Sequence, residues 1–365
     1  MNNETPVFAC FVDMSKAFDK VNFSILLNKL EKLGLPGYYV KIIEFLYKNQ
    51  EVRVKYKNSY SDSWMLKNGV RQGAILSPFF FNLYMNDALN KVCSLDVGCK
   101  LDVHKSNIIG YADDITVLAP SVAGLQLLVD TLFNEIDGLC LSINTKKSVY
   151  MKFLPNKYKH LQNENIKCGN RKLDCVDNVK YLGNIINNKL NEKDDIRKVK
   201  NKFYKEFNIL LRKFNYIDTA MFLILFRSYC LCFYGTEVWI NTKNCQGLLK
   251  ELSVGYHKAI KKILGTSYHE SNHYVCEAAK LLTFENYSNK IRIMFHYRLL
   301  KRPCKAILKN YNFFKNISCF ATDINTILST KYQIDDLVVN DKQAVLARIQ
   351  YVQNHEPQNV RIVPV

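Results

Sequence analysis

No two cysteines in this 365-residue chain have the C-x-x-C spacing of a zinc ribbon, although the chain holds 12 cysteines. The closest are Cys230 and Cys232, followed by Cys93/Cys99 and Cys168/Cys175. Thiols scattered in this way point to reduced, mostly buried side chains in an intracellular protein, not to a disulfide framework. A secretory leader is missing as well. The opening MNNETPVFACFVDM carries Glu4 and no basic run ahead of its short apolar stretch. The best candidate for a membrane span, TAMFLILFRSYCLCFYGTEVWI (219–240), contains Arg227 and Glu237, which favours a buried amphipathic helix. There is no internal repeat and no low-complexity linker. Acidic residues are scarce, 33 against 51 basic ones, and the formal net charge is +18. A surplus of that size calls for a polyanionic partner, nucleic acid or an anionic membrane surface. The 22 Tyr and 21 Phe add rings able to stack on bases, although most aromatics serve as core.

At 48% hydrophobic residues, the length supports a sizeable core in two or three domains. In the first half, strand-like and helix-like segments alternate. VFACFVDM reads as a buried strand ending at Asp13, and FSILLNKLEKLGL and YYVKIIEFLYKN as helices. EVRVKY alternates like a strand. SPFFFNLYMNDALNKV has Ser77 and Pro78 in cap and first-turn positions of a third helix. SVAGLQLLVDTLFNEIDGL is a helix capped by Ser121, and KSVYMKFL and VKYLGNII are further strands. From about residue 190 the chain turns to long Lys-rich helical segments, and the tail after about 303 is irregular. The fold class read from this pattern is α+β over the first 186 residues and mainly helical thereafter.

The stretch IIGYADDITVLA (108–119) sets Asp113 and Asp114 between two apolar runs. It reads equally well as a tight turn or as half of a cation site. Two carboxylates about 4 Å apart repel by roughly 4 kcal/mol at an effective dielectric near 20, so a positive partner belongs between them. Asp13, at the end of its own buried strand, can share a cation with the pair if the strands are neighbours in one sheet. Two ions held so can stabilise both oxygens of an in-line phosphoryl displacement.

The order FVDMSKAFDKV, NGVRQGAILSPFFFNLYMND, YADD, GLCLSINTKKS, VKYLG resembles palm motifs A to E of the reverse transcriptases of non-LTR, LINE-type retrotransposons, over about residues 7–186. Five motifs in order are a strong signal where any one would be weak. The region from 190 to about 300, with LCFYGTEVW, is similar to the family's thumb and following segment. The resemblance implies a polymerase palm, an antiparallel sheet with packed helices, over 1–186. A helical thumb and connecting region would follow over 187–300, then an extension of unassigned role over 301–365.

It further implies that Asp13, Asp113 and Asp114 are catalytic metal ligands, that a backbone carbonyl at Val12 or Met14 completes the metal shell, and that Lys147 protonates departing pyrophosphate. Phe18 would lie beneath the incoming sugar and exclude a 2′-OH, or simply be a core ring. Arg71, Gln72, Gly73 and Tyr111 would line the nucleotide site, and Tyr181, Leu182 and Gly183 would form the primer-grip turn. Lys16 and Asp19 read as structural. Mg²⁺ is the implied cofactor, with Mn²⁺ able to stand in. The partners would be an RNA template, a DNA primer, the RNA–DNA hybrid and dNTP, with no membrane role. The implied location is intracellular and not secreted, and nuclear for an element competent to retrotranspose.

Only a dozen residues precede Asp13. The family's basic fingers and an endonuclease domain are therefore expected to be missing from this chain, as in a piece of a longer polyprotein or a truncated genomic copy. Two alternatives stand beside the polymerase. One is a catalytically idle remnant that still binds RNA or RNA–DNA hybrid. The other is a metal-dependent nuclease, which lacks a water-activating His/Asp/Glu cluster near these motifs.

Overall fold

The computed structural model describes residues 5–101, 104–155, 157–158, 165–239 and 245–301, with positions 324, 327–332, 343, 346–347, 349 and 352 beyond them. Almost all of the 301–365 extension lies outside the described residues. The chain divides into two units, Met1–Leu182 and Gly183–Val365.

In the first unit, apolar runs become the strands of one five-stranded sheet. These are β1 (Val7–Val12), β2 (Ile108–Tyr111), β3 (Asp114–Ala119), β4 (Val149–Phe153) and β5 (Asp174–Cys175), in spatial order β5-β4-β1-β3-β2. β1 is the middle strand and runs antiparallel to both neighbours; only β4 and β5 pair in parallel. Among the described residues, this unit has four α-helices: α1 (Phe23–Lys32), α2 (Gly37–Lys48), α3 (Ser77–Ser94) and α4 (Val122–Gly138). α4 starts at Ser121, whose Oγ accepts the Gly124 N–H at 3.1 Å. It buries Leu125, Leu128, Val129, Leu132 and Ile136, a 3–4 residue spacing that keeps one apolar stripe. That stripe packs with α3 on the sheet face carrying Phe8, Cys10, Val12, Ile115 and Val117. Each such buried aliphatic side chain contributes about 1.5–3 kcal/mol.

Three local readings need correction. Ser77 is the first residue of α3 and not its cap: Leu76 holds the cap position, and the Ser77 hydroxyl donates instead to the Arg71 carbonyl at 2.5 Å. EVRVKY is not one strand. Glu51–Val52 pairs with Trp64–Met65, and Lys55–Tyr56 separately with Ser59–Tyr60. VKYLGNII breaks into β6 (Asn178–Tyr181) and β7 (Asn184–Asn187), because Leu182 (φ 45°) and Gly183 (φ 85°) turn the chain between them.

The second unit is built on α5 (Lys193–Lys213), α6 (Thr219–Tyr229), α7 (Gln246–Leu264), α8 (Asn272–Ala278) and α9 (Phe284–Leu300). α5 buries Ile196, Val199, Phe203, Phe207 and Leu210 and leaves its lysines on the other face. Phe203 meets Phe226 of α6 edge-on, with ring centroids 6.1 Å apart. The apolar run that begins at Thr219 is thus α6 and its sequel, with Phe222 and Phe226 in the core. Among the described residues no helix is long and apolar enough to cross a membrane. The buried thiols of Cys168, Cys230 and Cys276 are pushed up to about 11, 12 and 12 by burial, so they stay protonated.

Candidate active site

β1 gives way to polar residues at one edge of the sheet. Val12 pairs with Ile115 in the last rung of the ladder, and Asp13 and Asp114, the first residue of β3, come next on the two chains. Alternation gives both carboxylates the sheet face of Phe11 and Thr116, opposite the α3/α4 face. Asp113 is the second residue of the two-residue turn joining β2 to β3, and Ala112 is the first. Ala112 has φ 53°, a left-handed value that costs a residue with a Cβ about 1–2 kcal/mol. The strain sits beside the aspartates, where a tight turn brings them to the sheet edge.

The pKa of Asp114 is raised, first by burial and then by the charges of Asp113 and Asp13. The three carboxylates therefore act on one locality. They do not close on a single point: among the described residues no three His, Cys, Asp or Glu side chains are grouped to hold a metal ion. As donors they suit a hard divalent cation, which takes carboxylate oxygens.

Asp13 is braced from a segment that sequence reasoning did not connect with it. Its backbone N–H donates to Ser148 Oγ at 3.0 Å, and its carbonyl accepts the Asn144 N–H at 2.8 Å. The Ser15 N–H donates to the Ser142 carbonyl at 2.9 Å, and Lys20 Nζ to Ser142 Oγ at 2.6 Å. Ser148 is buried. Its only signal in the sequence was a hydroxyl directly ahead of the apolar run of β4. Lys147 belongs to the same segment, with its N–H bonded to the Asn144 carbonyl at 3.1 Å and its side chain exposed.

The glycine-containing loop before α3 is stitched to the segment after Asp13. The Gly69 N–H donates to the Val21 carbonyl and the Val70 N–H to the Phe18 carbonyl, each at 2.8 Å. Gly69 has φ 98°, and a Cβ there would stand 2.8 Å from the Asp19 carbonyl oxygen. Only glycine allows so close an approach. The loop then presents Arg71, Gln72 and Gly73 exposed, with Gln72 Nε2 donating to Asp19 Oδ1 at 3.2 Å. A cavity of about 670 Å³ opens at this point, lined by Asp19, Gln50, Glu51, Gly69, Arg71 and Gln72 among others. Phe18 is half-buried and stacks on Phe81, with centroids 4.7 Å apart, so its ring is fixed against the core. Tyr111 is exposed and lies opposite Asp114 in the β2–β3 ladder.

Tyr181 ends β6 with its ring 5.5 Å from that of Phe11, on the sheet face of Asp13, and its hydroxyl is buried with no hydrogen-bond partner among the described residues. In the second unit, Lys198 Nζ donates to the Gly183 carbonyl and, at 2.8 Å, to Asp195. Asp195 also accepts the Ile185 N–H and Trp239 Nε1, each at 3.0 Å. Asp195, Lys198 and Trp239 thus hold the strand after the turn, a role the sequence did not disclose.

Residues 2–186, half of the chain, match the family described as Reverse transcriptase (RNA-dependent DNA polymerase). The chain is 28% identical over 184 residues to the Pol polyprotein of the type-2 retrotransposable element R2DM of Drosophila melanogaster. That alignment covers 48% of this chain and 17% of the relative. It is 25% identical over 340 residues to a probable RNA-directed DNA polymerase from transposon BS of the same species, covering 85% of this chain and 36% of the relative. The chain thus spans about a sixth to about a third of the length of these curated relatives. A solved apo telomerase from Candida Tropicalis is similar at 13% identity and TM-score 0.42, over 94% of this chain and 51% of that one, a likeness too loose to carry weight. The chain belongs to the reverse transcriptase (RNA-dependent DNA polymerase) family, and its relatives are the polymerases of non-LTR retrotransposons.

Proposed function

We propose that this chain is the polymerase part of a non-LTR retrotransposon protein, extending a DNA primer 3′-OH with dNTP on an RNA template. Residues 1–186 serve as palm and 187–300 as thumb and connecting region. The observation that carries the reading is the β1–β3 register. It ends at Val12–Ile115, so that Asp13 and Asp114 come next on the two strands with Asp113 in the adjoining turn, and burial, then the charges of Asp113 and Asp13, raise the pKa of Asp114. Asp13, Asp113 and Asp114 would hold divalent Mg²⁺, with Mn²⁺ as substitute. A bound divalent cation supplies charge stabilisation to the transferring phosphoryl group.

The chain's own residues do the rest. Asp13 is fixed in place by Ser148 and Asn144, and positioning of that kind carries much of phosphoryl transfer. Arg71 and Gln72, presented by the Gly69 loop, contact the nucleotide, and Gly73 lets backbone approach it. Phe18, held by Phe81, and Tyr111 shape the sugar side. Lys147 is the general acid that gives a proton to leaving pyrophosphate, and its side chain is exposed. The Tyr181–Gly183 turn supports the primer. Acting on genomic DNA, such a protein works in the nucleus.

One observation favours a second reading, a chain that binds RNA or hybrid without synthesis: the three carboxylates do not converge as a ligand set. Primer extension on an RNA template with Mg²⁺ or Mn²⁺ separates the two. Extension that falls roughly a hundredfold or more in Asp114→Asn supports the polymerase. Hybrid binding with no extension by the parent chain selects the second reading, and extension that survives Asp114→Asn overturns the site.

A further inference from the structure

α2 has two apolar faces, and the fold uses one of them. Val40 and Tyr47 are buried, and the Tyr47 ring meets those of Phe23 and Phe80 edge-on, with centroids 5.5 and 5.8 Å away. On the other side of the helix Tyr38, Tyr39, Ile42, Phe45 and Leu46 are each between 39% and 70% exposed. At 3.6 residues per turn these five fall within an arc of about 120°, so they form one stripe. The charges of α2 lie between the two faces, where Lys48 and Glu44 pair with each other at 2.6 Å. A surface helix ordinarily buries its one apolar stripe and turns polar residues to water. This helix turns a second stripe outward.

The stripe is too large for an idle surface. Five side chains of this size, exposed to this extent, present roughly 650 Å². The largest apolar patch on a typical monomer covers about 300–600 Å². Each partner in a stable complex gives about 800 Å², so the stripe alone supplies most of one half of an interface.

Its chemistry selects the occupant. None of the five residues is charged, in a chain whose net charge is +18, so the stripe offers nothing to a phosphate or to an acidic peptide. Along the helix it runs ring, aliphatic, ring: Tyr38, Ile42, Phe45. That order reads the same from either end. A two-fold contact requires this, because residue i meets j and j meets i. Two such helices crossing antiparallel at Ile42 set each Tyr38 on the partner's Phe45, with the slimmer Ile42 side chains where the axes come closest.

We propose that this face joins two copies of the chain, in a two-fold antiparallel pairing of α2 built on Tyr38, Ile42 and Phe45. The proposal is independent of the nucleic-acid function proposed above.

The test is sedimentation velocity of the full chain, stripped of nucleic acid, from about 1 to about 100 µM, beside thermal unfolding of each variant at the lowest concentration. The parent chain should pass from monomer to dimer across that range. It should do so more readily at about 0.5 M salt than at about 0.15 M, since screening relieves the repulsion between two +18 chains. Phe45→Glu enters the interface twice and should weaken the dimer by about a hundredfold or more. Its melting temperature should match the parent's, because the side chain is exposed. Tyr216→Glu, at an exposed ring outside α2, should dimerise as the parent does. Mixing Phe45→Glu with Tyr38→Lys should restore a dimer, since the crossing sets the added carboxylate on the added ammonium. A parent chain that stays monomeric overturns the pairing and leaves the stripe to a different protein or to another segment of a longer one. A dimer that Phe45→Glu leaves intact, or that salt dissolves, overturns it as well. A Phe45→Glu chain that melts lower shows Phe45 holding the fold and overturns the open face, and a mixture that stays monomeric overturns the antiparallel crossing.

Discussion

Gly69→Ala tests whether the loop before α3 is positioned by backbone contact. At φ 98° a residue with a Cβ is strained by about 1–2 kcal/mol. The added methyl would also stand 2.8 Å from the Asp19 carbonyl oxygen and 3.0 Å from its carbonyl and α carbons. All three are backbone atoms, so no side chain can swing aside. Relief requires the loop to part from the 18–21 segment and give up the Gly69–Val21 and Val70–Phe18 hydrogen bonds, about 1 kcal/mol each. By either route the cost is about 2–4 kcal/mol, a fall of roughly 5–15 °C in the melting temperature of a unit this size. Gly34→Ala is the control: φ is 84° there, but nothing lies within 4 Å of the new Cβ, so only the strain of about 1 kcal/mol applies. Since Arg71 and Gln72 move with the loop while Asp13 and Asp114 do not, the KM for dNTP should rise more than kcat falls. Equal melting temperatures for the two alanine variants would refute the contact argument. A Gly69→Ala enzyme with a normal KM would refute the loop's role in holding nucleotide.

Two further outcomes follow from buried charge. The raised pKa of Asp114 means its ionised form costs the fold stability above that pKa, and the cost vanishes below the unfolded value of about 3.8. Asp114→Asn should therefore melt higher at pH 7 by the worth of a partly exposed like-charge contact, about 1 kcal/mol, and equally with the parent near pH 3. Added Mg²⁺ should stabilise the parent more than this variant, as differential scanning fluorimetry would read; a variant that melts lower at pH 7 refutes the repulsion. In the second unit, burial brings His257 down to about 4, and its Nε2 accepts the Phe284 N–H at 3.5 Å. Its folded pKa lies below the unfolded 6.5, so its contribution is present above pH 6.5 and is lost as pH falls towards 4. The loss is about 3 kcal/mol. Denaturant titrations at pH 7 and pH 4.5 should show that loss in the parent and not in His257→Gln, and equal losses would remove His257 as the cause.

The sheet core and α4 were legible because one short-range pattern decides each. VFACFV is apolar throughout and becomes the middle strand, while Ser121 ahead of a 3–4 residue stripe gives both the start and the buried face of α4. The Asp13 and Asp113–Asp114 positions were legible for the same reason, as breaks in apolar runs. Their bracing was not. Ser148 reaches the Asp13 N–H across 135 residues, and no local pattern encodes such a bond. Ser77 misled because hydroxyls favour caps, yet a nearer acceptor, the Arg71 carbonyl, drew it inside the helix.

The place of β1 in the sheet has a consequence for synthesis on the ribosome. β1 has partners on both sides and emerges before either of them, β3 from residue 114 and β4 from residue 149. At about 5–20 residues per second, VFACFV waits roughly 5–20 s for its first partner. For that interval a six-residue apolar strand carries two open edges, the kind of segment that pairs with other chains. Nascent chains halted before about residue 119 should therefore depend on chaperones far more than chains halted after β4 has formed.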